Sequence, residues 1–147
     1  MKSDVAERAV KLFDSGFNCA EAVLLALCVE FHQVASVFPR VATGFGAGIS
    51  RTGRVCGALN GAIMAIGLQQ GCDRAEDKEQ RIATYAEVRK LLKAFQREFG
   101  NIECIELTKC DLQTSRGQEK YHRQEVRRNL CSGFVRWCAD YVAKRYE

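Results

Sequence analysis

Between residues 41 and 72 the chain carries only two charged side chains, Arg51 and Arg54, yet holds 8 of its 12 glycines. A stretch so poor in charge cannot face water along its length, and glycine at this density serves close approach of one backbone to another. Its longest apolar run, residues 58–68, contains Asn60 and two glycines and falls well short of the roughly 20 residues that cross a bilayer. The segment therefore reads as an internal packing element. A helix over residues 56–70 is expected, with Gly57 and Gly61 one turn apart so that a second helix can lie against it, and Gly71 ending it. Upstream, residues 34–43 read as a short helix or turn bent at Pro39, leading into a glycine-rich loop over 44–54.

Around this centre the periodicity is helical, and a single proline leaves long stretches free for it. Ala6, Ala9, Val10 and Phe13 mark a first amphipathic helix that Gly16 ends in a left-handed cap. Asn18 and Glu21 form a capping-box pattern opening a second helix, whose stripe is Ala20, Val23, Leu24, Leu27, Cys28 and Phe31. Asp73 with Glu76 signals the start of a long helix with Val88, Leu91, Leu92, Phe95 and Phe99 on one face, stopping at Gly100. Asn101 is placed to cap a short helix carrying Cys104, and a polar loop follows over 111–117. A last helix over 118–145 carries Leu130, Cys131, Phe134, Val135, Cys138, Tyr141 and Val142. The expectation is an all-α fold, a compact bundle of four or five main helices plus short ones.

At 147 residues, 47% hydrophobic and 27% charged, the chain is long enough to bury a core without cross-links, so one folded domain over residues 1–147 is expected. A net charge of +4 with interleaved signs and no long basic run gives no reason to expect nucleic acid. The N-terminal segment MKSDVAERAV places acids where a leader would carry its basic start and apolar centre, which reads as a cytoplasmic protein. In a reducing compartment 8 cysteines are not a static disulfide framework, which leaves metal ligation, redox chemistry or burial.

Position sorts the cysteines. Cys28 and Cys138 sit on core stripes, where a free cysteine acts as a small hydrophobe. Cys72 and Cys110 flank turns and are candidates for exposure. Cys19 follows the Asn18 cap, where helix dipole and free N–H groups favour a thiolate. Cys56 also follows a turn into a helix, with Arg51 and Arg54 adding positive potential. The two sites share one logic, and a small residue chosen for a crowded helix start is the competing explanation at each.

The stretches GFNCAEAV around Cys19 and GFGAGISRTGRVCGALNGAIMAIG around Cys56, followed by Cys104 and Cys131, resemble the C-GCAxxG-C-C family, whose members are described as redox-active. The similarity spans nearly the whole chain, and its most specific part is Cys56-Gly57-Ala58-Leu59-Asn60-Gly61. It implies four functional cysteines at Cys19, Cys56, Cys104 and Cys131; choosing Cys104 over Cys110 and Cys131 over Cys138 rests on that resemblance.

Other motifs narrow the chemistry. Gly44, Gly46 and Gly48 lack the GxGxxG spacing, a preceding strand and a following Lys-Ser/Thr pair, so a nucleotide loop is not indicated. With Arg51 and Arg54 this loop either holds a small anion or is a tight packing turn. His32 and His122 lie in neither HExxH nor CxxCH, and no CxxC is present. Two functional readings follow. In the first, Cys19 and Cys56 act as nucleophile and resolving partner in thiol–disulfide exchange with a redox partner protein or small thiol, and Cys104 and Cys131 supply a second pair. In the second, the same four sulfurs hold an iron–sulfur cluster or another thiolate-bound metal. An inert interaction bundle is the alternative to both. The glycine-rich face and an exposed aromatic end of the last helix make a homodimer reasonable.

Overall fold

A computed structural model describes residues 3–147, so Met1 and Lys2, the first residues of the segment read above for a leader, lie outside it. The periodic apolar positions of the first helix, α1 (Ser3–Asp14), are buried, with Phe13 fully enclosed, and Gly16 takes a φ of 118° beyond its end. The second, α2 (Cys19–Glu30), opens with the full capping box: the Glu21 N–H donates to Asn18 Oδ1 at 2.9 Å and the Asn18 N–H to Glu21 Oε1 at 2.8 Å. Ala22 and Ala26 are buried as well as the expected stripe, so α2 is a central helix enclosed on most sides. It packs against α1, against α4 (Gly57–Gln70) and against α8 (Ser132–Arg145).

Between α2 and α4 lie a 3-10 turn, Arg40–Phe45, and a short helical turn, α3 (Gly46–Ser50). The α2–α4 crossing is as close as the glycines allow: a Cβ added at Gly61 would lie 2.5 Å from the Ala20 carbonyl oxygen. After α4 comes α5 (Lys78–Phe99), which buries Leu91 and Phe95 and ends at Gly100 with φ 90°. It starts later than Asp73 and Glu76 imply. Those residues belong to a separate turn, where Asp77 accepts from the Arg74 N–H at 3.3 Å and Glu76 pairs with the Arg74 side chain at 2.8 Å.

The expected single helix over 118–145 is divided. Thr114 accepts from the Gly117 N–H and starts α7 (Ser115–Arg123), following α6 (Cys104–Thr108) and the polar loop. Glu125, with φ 49°, breaks the helix, and a wide π-type turn over Arg127–Cys131 leads into α8. The wider turn re-phases the chain: Leu130, expected in the core, is 40% exposed, while Arg127 turns inward. The short helix with Cys104 also forms, but Asn101 does not cap it. The Asn101 Oδ1 accepts from the N–H groups of Ile102 and Glu103, one turn earlier.

The aromatic end of the last helix is packed within the chain rather than exposed. Trp137 meets Phe95 edge-on at 5.5 Å and stacks on Tyr141 at 5.1 Å, and Tyr146 meets Phe31 at 5.9 Å. Arg145 closes α8 onto α5 through two bonds to the buried Glu87, at 3.0 and 2.9 Å. Among the described residues the architecture is all-α, with five main helices, and no helix is long and apolar enough to cross a membrane.

Candidate functional site

The segment expected as a glycine-rich loop, and as a tight packing turn if not an anion site, is a strained and firmly bonded turn. Ala47, Gly48, Ile49, Ser50 and Arg51 all have φ between 54° and 70°, and the Arg51 N–H closes onto the Ala47 oxygen at 2.9 Å. This is one turn of left-handed helix, in which each residue bearing a Cβ costs roughly 1–2 kcal/mol. Side chains over-determine it, the condition under which such strain persists. Thr52 and Ser50 hydroxyls donate to the Gly48 and Gly44 oxygens at 2.8 and 2.9 Å. Asn60, buried on α4, donates to both Phe45 and Val55 oxygens at 3.0 Å. From the α2 side, Asn18 donates to the Thr43 oxygen at 3.0 Å, and the Thr43 hydroxyl to Glu21 at 2.6 Å.

Against this turn the chain makes a short antiparallel crossing that sequence periodicity does not reveal. The Cys56 N–H donates to the Ile102 oxygen at 2.8 Å, and the Cys104 N–H to the Arg54 oxygen at 2.7 Å. Cys104 is thereby fixed beside the turn, close enough that a Cβ at Gly48 would lie 2.5 Å from its own. Cys19, first in α2, projects over Gly57, where a Cβ would meet its sulfur at 2.2 Å. Cys131 arrives at the end of the π-type turn. All four line one cavity of about 70 Å³, together with Phe13, Leu107, Leu112 and Phe134, and with Asn18, Thr108, Tyr121 and Arg127 as polar members.

Burial dominates the chemistry of these sulfurs. It pushes the Cys19 thiol up, against the lowering effect of the Ala47, Ala20 and Cys19 N–H groups and of Arg127. The thiolate preference expected from the helix start is thus present but outweighed. Cys56 is raised well above the ordinary thiol range, first by burial and then by charge repulsion from Cys19. Burial pushes Cys104 up to about 12 and Cys131 to about 11, the latter despite the Tyr121 O–H donating to its sulfur at 3.5 Å. Arg127 is held over the Phe13 ring at 3.7 Å and donates to the Phe17 oxygen at 2.8 Å.

The remaining cysteines divide differently from expectation. Cys28 and Cys138 are fully buried, as their stripes require, but Cys138 also lies within electrostatic range of Cys56 and Cys19. Cys110, placed at a turn edge as a candidate for exposure, is buried at 1%; its sulfur donates to the Thr108 oxygen at 3.3 Å and its field reaches Cys104 and Cys131. Cys72 is half-buried and does not line the cavity. Of the two arginines read as an anion site, Arg51 lines an adjoining cleft and Arg54 lines neither space, contributing its backbone alone. Tyr121 and Arg127 were not legible as site residues, because the helix break that turns Arg127 inward carries no proline or glycine.

Four thiols are a suitable donor set for a soft metal. As arranged, however, no three Cys, His, Asp or Glu side chains among the described residues form a group that would hold a metal ion. A helical bundle with cysteines from four separate segments on one apolar cavity defines a helical thiol protein. The family model described as "Putative redox-active protein (C_GCAxxG_C_C)" matches residues 17–145, and the chain belongs to that family. No curated protein and no solved structure matches it.

Proposed function

We propose that the protein carries out thiol–disulfide exchange, with Cys19 as attacking sulfur and Cys56 as its resolving partner. The observation that supports this most is the meeting of Cys19, Cys56, Cys104 and Cys131 on one small apolar cavity. Cys19 is the half-buried member of the first pair and Cys56 the buried one, so an incoming disulfide meets Cys19 first. The N–H groups of Ala47 and Ala20 and the charge of Arg127 support its thiolate as it forms.

The Cys19 thiolate attacks one sulfur of the substrate disulfide, forming a mixed disulfide and expelling one substrate thiolate. The Cys56 thiolate then attacks the Cys19 sulfur, releasing the second substrate thiolate and leaving a Cys19–Cys56 disulfide. Two electrons pass to the substrate, which becomes two thiols once it takes up the two protons that the protein loses. Cys131 and Cys104 form a second pair of the same kind, half-buried and buried. The oxidant is a small disulfide or that of a redox partner protein.

The test is oxidation of anaerobically purified, reduced protein with hydroxyethyl disulfide, followed by disulfide mapping by mass spectrometry. A Cys19–Cys56 bond in the wild type and a trapped mixed disulfide on Cys19 in Cys56→Ser are expected. Absence of any adduct on Cys19 would overturn the reading. So would a visible chromophore with stoichiometric metal or sulfide in the wild type that Cys56→Ser loses together with thermal stability, because metal binding is linked to folding.

A further inference from the structure

Resting on the exchange reading, we infer that the substrate is a small disulfide bearing carboxylates, seated in the cleft beside the cysteine cavity. Size separates the two spaces. A cavity of about 70 Å³ admits a reacting sulfur and little else. The adjoining cleft measures about 530 Å³, within the range of small-molecule sites. The two spaces share Asn18, Ala47, Leu112, Tyr121 and Arg127 as walls, so a group held in the cleft lies next to the entrance to Cys19.

The cleft's lining determines the charge of its occupant. Its ionisable members besides Tyr121 are Arg51, His122 and Arg127, and no carboxylate lines it. Thr43, Ser50 and Gln118 add hydrogen-bonding groups. Glu21, the nearest acid along α2, does not itself line the cleft, and its carboxylate is taken up by the Asn18 N–H and the Thr43 hydroxyl. The left-handed turn supplies Ala47 to both spaces and Ser50 and Arg51 to the cleft, giving its strain a role in placing a cation in the cleft. A cleft lined with cations and without acids favours an anionic guest.

Three small disulfides of similar length but different charge test the inference: dithiodipropionate, hydroxyethyl disulfide and cystamine, which are anionic, neutral and cationic. The rate of Cys19 modification is followed by stopped quench and mass spectrometry. The expected order is anionic, then neutral, then cationic, with the spread shrinking as salt is raised. Arg51→Gln is expected to lower the anionic-to-neutral rate ratio roughly threefold, the scale of an exposed charge contact. Adding His122→Gln should lower it further. Arg97→Gln, which removes the same charge from α5, serves as the control and should keep the wild-type ratio. Equal rates with all three probes, or an anionic-to-neutral ratio left unchanged by both cleft substitutions, would overturn the cleft assignment while leaving exchange intact. Failure of all three to modify Cys19 would overturn the exchange reading itself.

Discussion

Alanine substitutions at two glycines of α4 should change stability in opposite directions, six residues apart on one helix. At Gly67 an added Cβ meets nothing within 4 Å, so Gly67→Ala gains helix propensity and should stabilise by about 0.5–1 kcal/mol. At Gly61 the same methyl would lie 2.5 Å from the Ala20 oxygen, 3.2 Å from the Leu24 nitrogen and 3.2 Å from the Val23 Cβ. Two of these are backbone atoms of α2, which cannot rotate aside as a side chain can. Ordinary carbon–oxygen contacts are about 3.3–3.6 Å, so α2 and α4 must part by roughly 1 Å. Overpacking of this kind costs about 1–3 kcal/mol or more, against about 1 kcal/mol of gained propensity. A net loss of about 1–2 kcal/mol is expected, and a gap of about 2–3 kcal/mol between the two variants. Because α2 carries Cys19 and α4 follows Cys56, separation should also slow formation of the disulfide between them. Urea unfolding with unchanged slope gives the stabilities, and oxidant titration gives the rate. If Gly61→Ala is as stable as Gly67→Ala, the close crossing is wrong.

At high pH, folding stability should fall once the unfolded chain's thiols ionise near pH 9, because Cys28, Cys104 and Cys131 hold their protons to about 11, 12 and 11 in the fold; each adds a slope of up to about 1.4 kcal/mol per pH unit. Urea midpoints flat from pH 7 to 9 and dropping beyond would confirm it. At low pH the sign is reversed for Glu87, whose carboxyl is held below its usual range by the Arg145 hydrogen bonds: its contribution is present above the unfolded value and lost as pH falls through the depressed one. Glu87→Gln should therefore lower the melting temperature at pH 7 and narrow its difference from wild type in acid. Cys28 and Cys138, both at 0% exposure, should alkylate in reduced native protein only as fast as the fold opens globally, read by mass spectrometry; rapid labelling of either would contradict the packing of α2 and α8.

What was legible in the sequence is what local physics decides. The Asn18–Glu21 box, the glycine ends at Gly16 and Gly100 and the five main helices follow from caps and apolar period, each acting within a few residues. The elements that build the site depend on partners far along the chain. Local signals do not single out a left-handed turn at Ala47–Gly48–Ile49, because the Thr52 and Ser50 bonds within the segment act together with bonds from Asn60 and with the 54–104 crossing. Likewise the stripe through Leu130 and Cys131 looks continuous, and only the π-type turn shifts its phase and brings Arg127 inward. Cys110 was misjudged for the same reason: turn residues are usually exposed, but it is buried in a small cluster with Cys104, Leu112 and the distant Val126, with Tyr121 and Cys131 packed against that cluster.

Burial of the four sulfurs affects more than their acidity. A thiol whose ionisation is suppressed reacts slowly with any oxidant in bulk water, so under the proposed exchange the protein would discriminate among disulfides chiefly by what it can admit. Ala47, Tyr121 and Arg127 are among the residues that line both the cavity and the cleft, and on that reading admission would be controlled there. All three make the sulfurs more acidic: the Ala47 N–H bonds to Cys19, the Tyr121 hydroxyl bonds to Cys131, and the Arg127 charge favours both thiolates. The groups that border the entrance are therefore the groups that stabilise charge on the sulfurs behind it. A substrate carboxylate drawn toward Arg127 would compete for that same positive charge, which favours as its main anchor Arg51, a residue that lines the cleft and not the cysteine cavity and has no side-chain partner among the described residues. The left-handed turn meets both needs at once, directing the Ala47 N–H toward Cys19 and Arg51 into the cleft within five residues, an arrangement that a right-handed turn of the same sequence would not reproduce.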